Sequence, residues 1–277
     1  MNIAVISTGT ELLRGTVLNT NFAFLGRELA RRGLSIRLGL TAGDRAPEIH
    51  TAFAEALAEA DTVIVSGGLG PTRDDITLDA AARFFGLELE PVPELVDKIS
   101  AFWQLRHTGR VPKPMLRQAR APLGANILPN PNGSAPGFRI DAVYAGRARR
   151  IYLLPGPPRE FEPMVCESLL PDLDGIADAA AREHTIGFLA AGEPEFQLQV
   201  RLEKTLEGRP VELAYCATPS GTRVFISGSD PEEVRNAAKL AREEAGPLAL
   251  EFGELELPAA LLAALRKCSR KLVTAES

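Results

Sequence analysis

The residues with the clearest chemical capacity stand between Val63 and Thr77, in the string VIVSGGLGPTRDDIT. Gly67, Gly68 and Gly70 follow a β-branched apolar run, so the main chain there can take positive φ values and bring unpaired N–H groups close to phosphate or carboxylate oxygens. Ser66 and Thr72 add hydroxyls to the loop, and Asp74 and Asp75 close it with two carboxylates. An anionic ligand together with a metal ion is the chemistry such a loop can hold. Pro71 stiffens its far side. Asp75 or Thr77 is placed to cap a helix carrying Leu78, Ala81, Ala82 and Phe85, whose N-terminus adds partial positive charge. The plain alternative is a strand-to-helix turn in which the Asp is only a cap.

Further polar candidates occupy other loops. STGTELLRGTVLNTN, after the first apolar run, carries Glu11 and Asn21; TAGD carries Asp44; LPGPPREFEPM carries Pro155, Gly156, Pro157 and Pro158. The turn-forming run NPNGSAPG offers Asn130, Gly133 and Ser134, whose amides and hydroxyl can cradle a second anionic group. Singly, Glu11 reads equally well as a helix-start residue, Asp44 as a turn former and Asn130 as an Asx-turn. Carboxylates brought together repel unless a cation joins them, which points to a functional cluster. The three histidines stand alone in the sequence and the three cysteines form no CxxC pair, so a metal here would be held by oxygens, as magnesium or manganese is.

These loops need elements to position them, and the chain supplies strands alternating with helices from residue 2 to about 170. Ile3 to Ile6, Ser35 to Leu40, Thr62 to Val65 and Arg150 to Leu154 read as strands. Asn19 to Arg32, Pro47 to Ala60 and Pro93 to Arg106 read as helices, and Phe161, Val165 and Leu169 continue another; the stretch 110–138 reads as a long ordered loop or a set of short strands. This order predicts an α/β fold, a doubly wound and mostly parallel sheet, with ligands beyond the carboxyl ends of its strands. Every unusual loop falls there. The predicted divisions are 1–174 for this domain, 178–253 for a smaller α+β domain ordered βαββα, and 254–277 for a linker helix and tail.

Composition narrows the class. With 277 residues, 45% hydrophobic and 24% charged, there is material for two domains. A net charge of -5 argues against general affinity for nucleic acid or acidic membranes. Arg147, Arg149 and Arg150 are the nearest approach to a basic run, and a solvated hairpin accounts for them. Unpaired cysteines favour a reducing compartment; no secretory signal is read, and no apolar run nears the roughly 18 residues that span a bilayer. A cytoplasmic protein is expected.

The strings STGTELLRGTVLNTN, GGLGPTRDDIT, NPNGSAPG and LPGPPREF, in this order, resemble the amino-terminal domain of the CinA family (competence/damage-inducible protein A), of the molybdopterin-binding superfamily. The resemblance implies ligand or metal roles for Glu11, Asp44, Asp75, Pro155 and Pro158. It also implies hydrolysis of ADP-ribose to AMP and ribose 5-phosphate with a divalent metal ion, Mg²⁺, Mn²⁺ or Co²⁺. In a mechanism hypothesised for these residues, Asp75, Asp44 and Glu11 hold metal, the glycine loop with Ser66 and Thr72 orients phosphates, and Asn130 with Ser134 positions the sugar or second phosphate. Arg73 stands where the family often has proline. Residues 178–253 resemble the KH-like domain that follows in CinA proteins. No GxxG loop or basic groove accompanies it, so a structural or dimer-supporting role is expected, with a homodimer implied. The tail KLVTAES resembles the start of a nicotinamide mononucleotide deamidase domain, matching its serine to Ser277, and deamidation is not expected of this chain. The alternatives are a module that binds or processes a molybdopterin-type pterin, and a non-catalytic partner of competence or DNA-damage machinery.

Overall fold

Two β-branched runs with no polar alternation, Ile3–Thr8 and Thr62–Ser66, are buried along their whole length and lie side by side, the environment such runs require. The computed structural model describes residues 1–105, 107–176, 182–250 and 257–273. The chain divides into two compact units, one over Met1–Leu29 and Leu34–Asp178 and one over Ala30–Gly33 and Ala179–Ser277.

In the first unit β1 (Ile3–Thr8), α1 (Thr10–Leu13), α2 (Thr20–Ala30), β2 (Ile36–Ala42), α3 (Ala46–Glu59), β3 (Thr62–Ser66) and α4 (Thr77–Phe85) follow in order. Next come β4 (Leu89–Pro91), α5 (Pro93–Gln104), α6 (Lys113–Leu116), a 3-10 turn at Arg117–Ala119, β5 (Arg120–Pro122) and β6 (Asn126–Leu128). The stretch expected as a loop or short strands thus also holds a short helix. β7 (Gly137–Tyr144) and β8 (Arg147–Leu154) form a hairpin, followed by α7 (Pro158–Met164), a π turn at Val165–Leu169 and α8 (Leu170–Ile176).

The main sheet runs β2-β1-β3-β8-β7-β6, parallel over its first four strands and antiparallel over the last two. Each face carries its own core. On one, Phe53 and Leu57 of α3 and Leu78 of α4 pack over Val63, Val65 and Phe138. On the other, Leu25 and Leu29 of α2 with Phe161, Val165 and Leu169 cover Ile3, Ile64 and Tyr152. A fully buried side chain of this size contributes about 1.5–3 kcal/mol. The sheet is doubly wound and mostly parallel, as its alternating elements predict.

The three arginines of the hairpin are not uniformly solvated. Arg149 is buried, and it donates to Asp61 Oδ1 at 3.0 Å and to the Leu57 carbonyl at 3.2 Å, because a guanidinium removed from water must be paired. Arg150 donates to Asp141 at 2.7 Å. Beside it Asp172 of α8 accepts from the buried Tyr152 hydroxyl at 2.6 Å and from Arg139 at 2.9 Å, fastening that helix to the sheet.

The second unit orders β9 (His184–Ala191), α9 (Glu195–Thr205), β10 (Glu212–Thr218), β11 (Gly221–Gly228) and α10 (Pro231–Ala245), with an antiparallel sheet β10-β11-β9. Leu198 and Leu202 of α9 and Val234 of α10 pack on Phe188, Val224 and Ile226. Asp230 caps α10, accepting from the Glu232 and Glu233 amides. α11 (Leu257–Lys267) follows, and the tail serine Ser277 lies outside the described residues. Among the described residues no helix is long and apolar enough to cross a membrane.

Candidate functional site

Parallel pairing brings the carboxyl ends of β1, β2, β3 and β8 to one end of the sheet, and the amide of Gly9 on the Ala42 carbonyl and that of Gly67 on the Leu154 carbonyl, both 3.0 Å, tie their outgoing loops together. β7 runs antiparallel to β8, so the run before Gly137 arrives at that same end. The loops enclose a cavity of about 490 Å³. Glu11 and Asn21 line it from the first loop, Asp44 from the second, Ser66, Gly67, Gly68, Gly70, Asp74 and Asp75 from the third, Ser134 from the fourth, and Pro155 and Pro158 from the last. Residues far apart in sequence, Glu11 and Pro158 among them, thereby share one wall.

The glycine loop has two distinct reasons for its glycines. Gly67 and Gly68 have φ of 109° and 68°, where a side chain is strained, and a Cβ at either would press on Thr8 or Thr77. Gly70 is not in that region; a Cβ there would collide with the Asp75 carboxylate. The loop closes as the Thr77 amide donates to the Gly68 carbonyl at 3.0 Å and the hydroxyls of Thr8 and Thr77 pair at 3.1 Å. Neither Asp75 nor Thr77 caps α4, since the N-cap position is Ile76 and makes no side-chain bond. Asp75 instead accepts from the Thr72 amide at 2.8 Å.

Three expected ligand contacts stand outside the cavity lining. The Thr72 hydroxyl turns to the carboxylates of Asp74 and Asp75, and with the backbone amide of Asp74 it holds that carboxyl below its ordinary range. Asn130 is fully buried and braces its own loop: Nδ2 donates to the Ala135 carbonyl and to Glu160 Oε2, both at 2.8 Å, while Oδ1 accepts from the Asn132 amide at 3.0 Å. Gly133 packs against that same Glu160 carboxylate, leaving no room for a Cβ.

Two further residues belong to the site. Glu160, a buried carboxylate at the start of α7, lines the cavity and anchors Asn130; it lies within the LPGPPREF string, whose prolines are the stronger local signal. Gln118 is buried between loops. Its Nε2 donates to the Leu69 carbonyl at 3.1 Å and its Oε1 accepts from Ser134 Oγ at 2.9 Å, joining the glycine loop to the 130–136 run. No local signal marks a lone glutamine in a loop-rich stretch.

Asn21 shows what the cavity lacks internally. Its Nδ2 donates to Ser66 Oγ at 2.8 Å and to the Gly156 carbonyl at 2.7 Å, which fixes the amide orientation, and its buried Oδ1 has no partner among the described residues. A buried acceptor of this kind suits a ligand N–H or O–H. Glu11, Asp44 and Asp75 share the cavity without sharing a ligand sphere: among the described residues, no group of three His, Cys, Asp or Glu is placed to hold a metal ion. Asp44 is drawn to the Thr10 amide at 2.8 Å and Asp75 to Thr72. A Mg²⁺ ion takes one or two carboxylates, waters and substrate phosphates, so an ion here would depend on ligand and water rather than on a full protein cage.

Residues 4–175 match the family described as a probable molybdopterin binding domain. A CinA-like protein of Citrifermentans bemidjiense is 37% identical over 280 residues, covering 100% of this chain and 66% of that protein. Another, of Akkermansia muciniphila, is 35% identical over 279 residues with the same two coverages. The chain thus spans 66% of the length of both relatives. Among solved structures, the protein CinA of Thermoplasma acidophilum, described as of unknown function, is 33% identical with a TM-score of 0.54, covering 63% of this chain and 96% of that one.

Proposed function

Because this chain belongs to the CinA-like family, with a probable molybdopterin binding domain at residues 4–175, we propose that it hydrolyses the pyrophosphate of ADP-ribose to AMP and ribose 5-phosphate with a divalent metal ion. The observation that carries this reading is the single cavity in which glycine-loop amides and Asn21 face Asp44, Asp74 and Asp75. Amides of Gly68 to Gly70 donate to the phosphate oxygens, helped by the positive ends of α2 and α4, while the Gly67 amide stays on the Leu154 carbonyl. Asn21 Oδ1 accepts from a ligand hydroxyl or amine, and Ser134, held by Gln118, orients the second half of the substrate. Asp75 and Asp44, with Glu11 at the exposed edge, would hold the metal. When bound, a Mg²⁺-like ion neutralises charge on the pyrophosphate. Water adds to one phosphorus, the bond to the bridging oxygen breaks, and a cavity carboxylate takes the water's proton. The resemblance further implies a homodimer.

A molybdopterin-type pterin is the second reading, favoured by the family description itself. Both are tested by assaying ADP-ribose hydrolysis with Mg²⁺, Mn²⁺ or Co²⁺ beside an Asp75→Asn control and a pterin-binding titration. Metal-dependent AMP release that the control abolishes supports hydrolysis. Pterin binding without turnover supports the second reading and overturns the first.

A further inference from the structure

A second cavity, of about 690 Å³, adjoins the glycine loop. A small pocket of about 20 Å³ shares Gly68, Gly70 and Gln118 with the lining of the first cavity and Asp79, Arg117 and Arg120 with that of the second. The second cavity brings together four cations, Arg83, Lys113, Arg117 and Arg120, against the single carboxylate of Asp79, in a chain whose net charge is -5. They come from α4, α6, the 3-10 turn and β5, so no run of sequence displays them.

Their pairing leaves most of that charge unspent. Arg120 grips Asp79 with bonds of 3.0 and 2.9 Å, and Arg117 reaches the same carboxylate at 3.5 Å. Arg83 and Lys113 have no ion pair among the described residues. A guanidinium already oriented by a carboxylate keeps further N–H donors free in a fixed plane, the geometry that suits phosphate. Mutual repulsion of the four is relieved by a bound anion. The rest of the wall is apolar and includes the half-buried Ile76, Val96 and Leu116. Cations beside half-exposed apolar side chains suit a ligand with a phosphate at one end and a flat, weakly polar body at the other.

We propose that this cavity binds a nucleoside monophosphate, its phosphate held by Arg83, Lys113 and Arg117 and its base laid against Ile76, Val96 and Leu116. The site goes beyond the hydrolysis reading and requires no turnover, so the two can fail separately. The test is calorimetric titration of the metal-free full chain with AMP, adenosine and inorganic phosphate at low ionic strength. Wild-type protein should bind AMP more tightly than either fragment, with affinity falling as salt rises. The double variant Arg83→Gln, Lys113→Gln, at two exposed positions, should weaken AMP binding about tenfold or more, while Arg147→Gln, an exposed arginine lining neither cavity, leaves it unchanged. Each single Gln variant, with its fold checked by circular dichroism, should lose part of that affinity. Absence of AMP binding, equal affinity in wild type and double variant, an equal loss on Arg147→Gln, or phosphate binding as tightly as AMP would each overturn the assignment.

Discussion

Asp75 and Ser134 reach one cavity from loops that follow and precede different strands, and their replacement should fail in different ways. Asp75→Asn keeps the bond from the Thr72 amide but removes charge where phosphate charge must be balanced. Steady-state kinetics should show kcat reduced about a hundredfold, the equivalent of about 2.7 kcal/mol of transition-state stabilisation. In the proposed reaction Ser134→Ala should mainly raise KM, since there the hydroxyl would position the substrate without taking part in bond making. Normal turnover in both would move the site elsewhere. Gly70→Ala tests the packing role of that glycine: the new methyl group displaces the Asp75 carboxylate, so activity should drop toward that of Asp75→Asn while the thermal midpoint changes little.

At the scale of elements, two devices hold the loops and the helices to the sheet. Gln118 bridges the glycine loop and the 130–136 run, and Gln118→Ala would leave the Leu69 carbonyl and the Ser134 hydroxyl without that partner. Urea unfolding should show a loss of about 1–3 kcal/mol, and KM for ADP-ribose should rise with it. α8 is fastened through Asp172. Burial pushes that carboxyl up, but bonds from Tyr152 and Arg139 and the charges of Arg139 and Arg150 more than offset it, leaving it below its ordinary 3.8. The native state therefore binds fewer protons than the unfolded chain in that range. Its stabilisation is present above about pH 4 and is lost as pH falls through the lowered native value. Acid unfolding should be less steep for Asp172→Asn; equal steepness would show that the network contributes nothing.

At the scale of the whole molecule, two units with separate cores make single-transition unfolding a poor description. Scanning calorimetry should resolve two transitions, and ADP-ribose with metal at about a hundredfold over its Kd should raise one of them, by the equivalent of about 2.7 kcal/mol, and leave the other in place. A shift in both would mean that ligand binding stabilises the second unit as well. The alternation of apolar runs and amphipathic stretches was enough to determine the doubly wound sheet and the βαββα order, because burial on one or both faces writes its period directly into neighbouring residues. The strand-following loops were legible for the same reason, since glycine, proline and aspartate mark turns locally. Only the tertiary structure decided which polar groups face the cavity and which brace it. Asn130, Gly133 and Thr72 turned to protein partners, while Glu160 and Gln118 entered the site, because hydrogen bonds are satisfied by whatever stands nearest in space. Tertiary structure also gathered Arg83, Lys113, Arg117 and Arg120 from four elements into one basic cavity that no local run of charge announces.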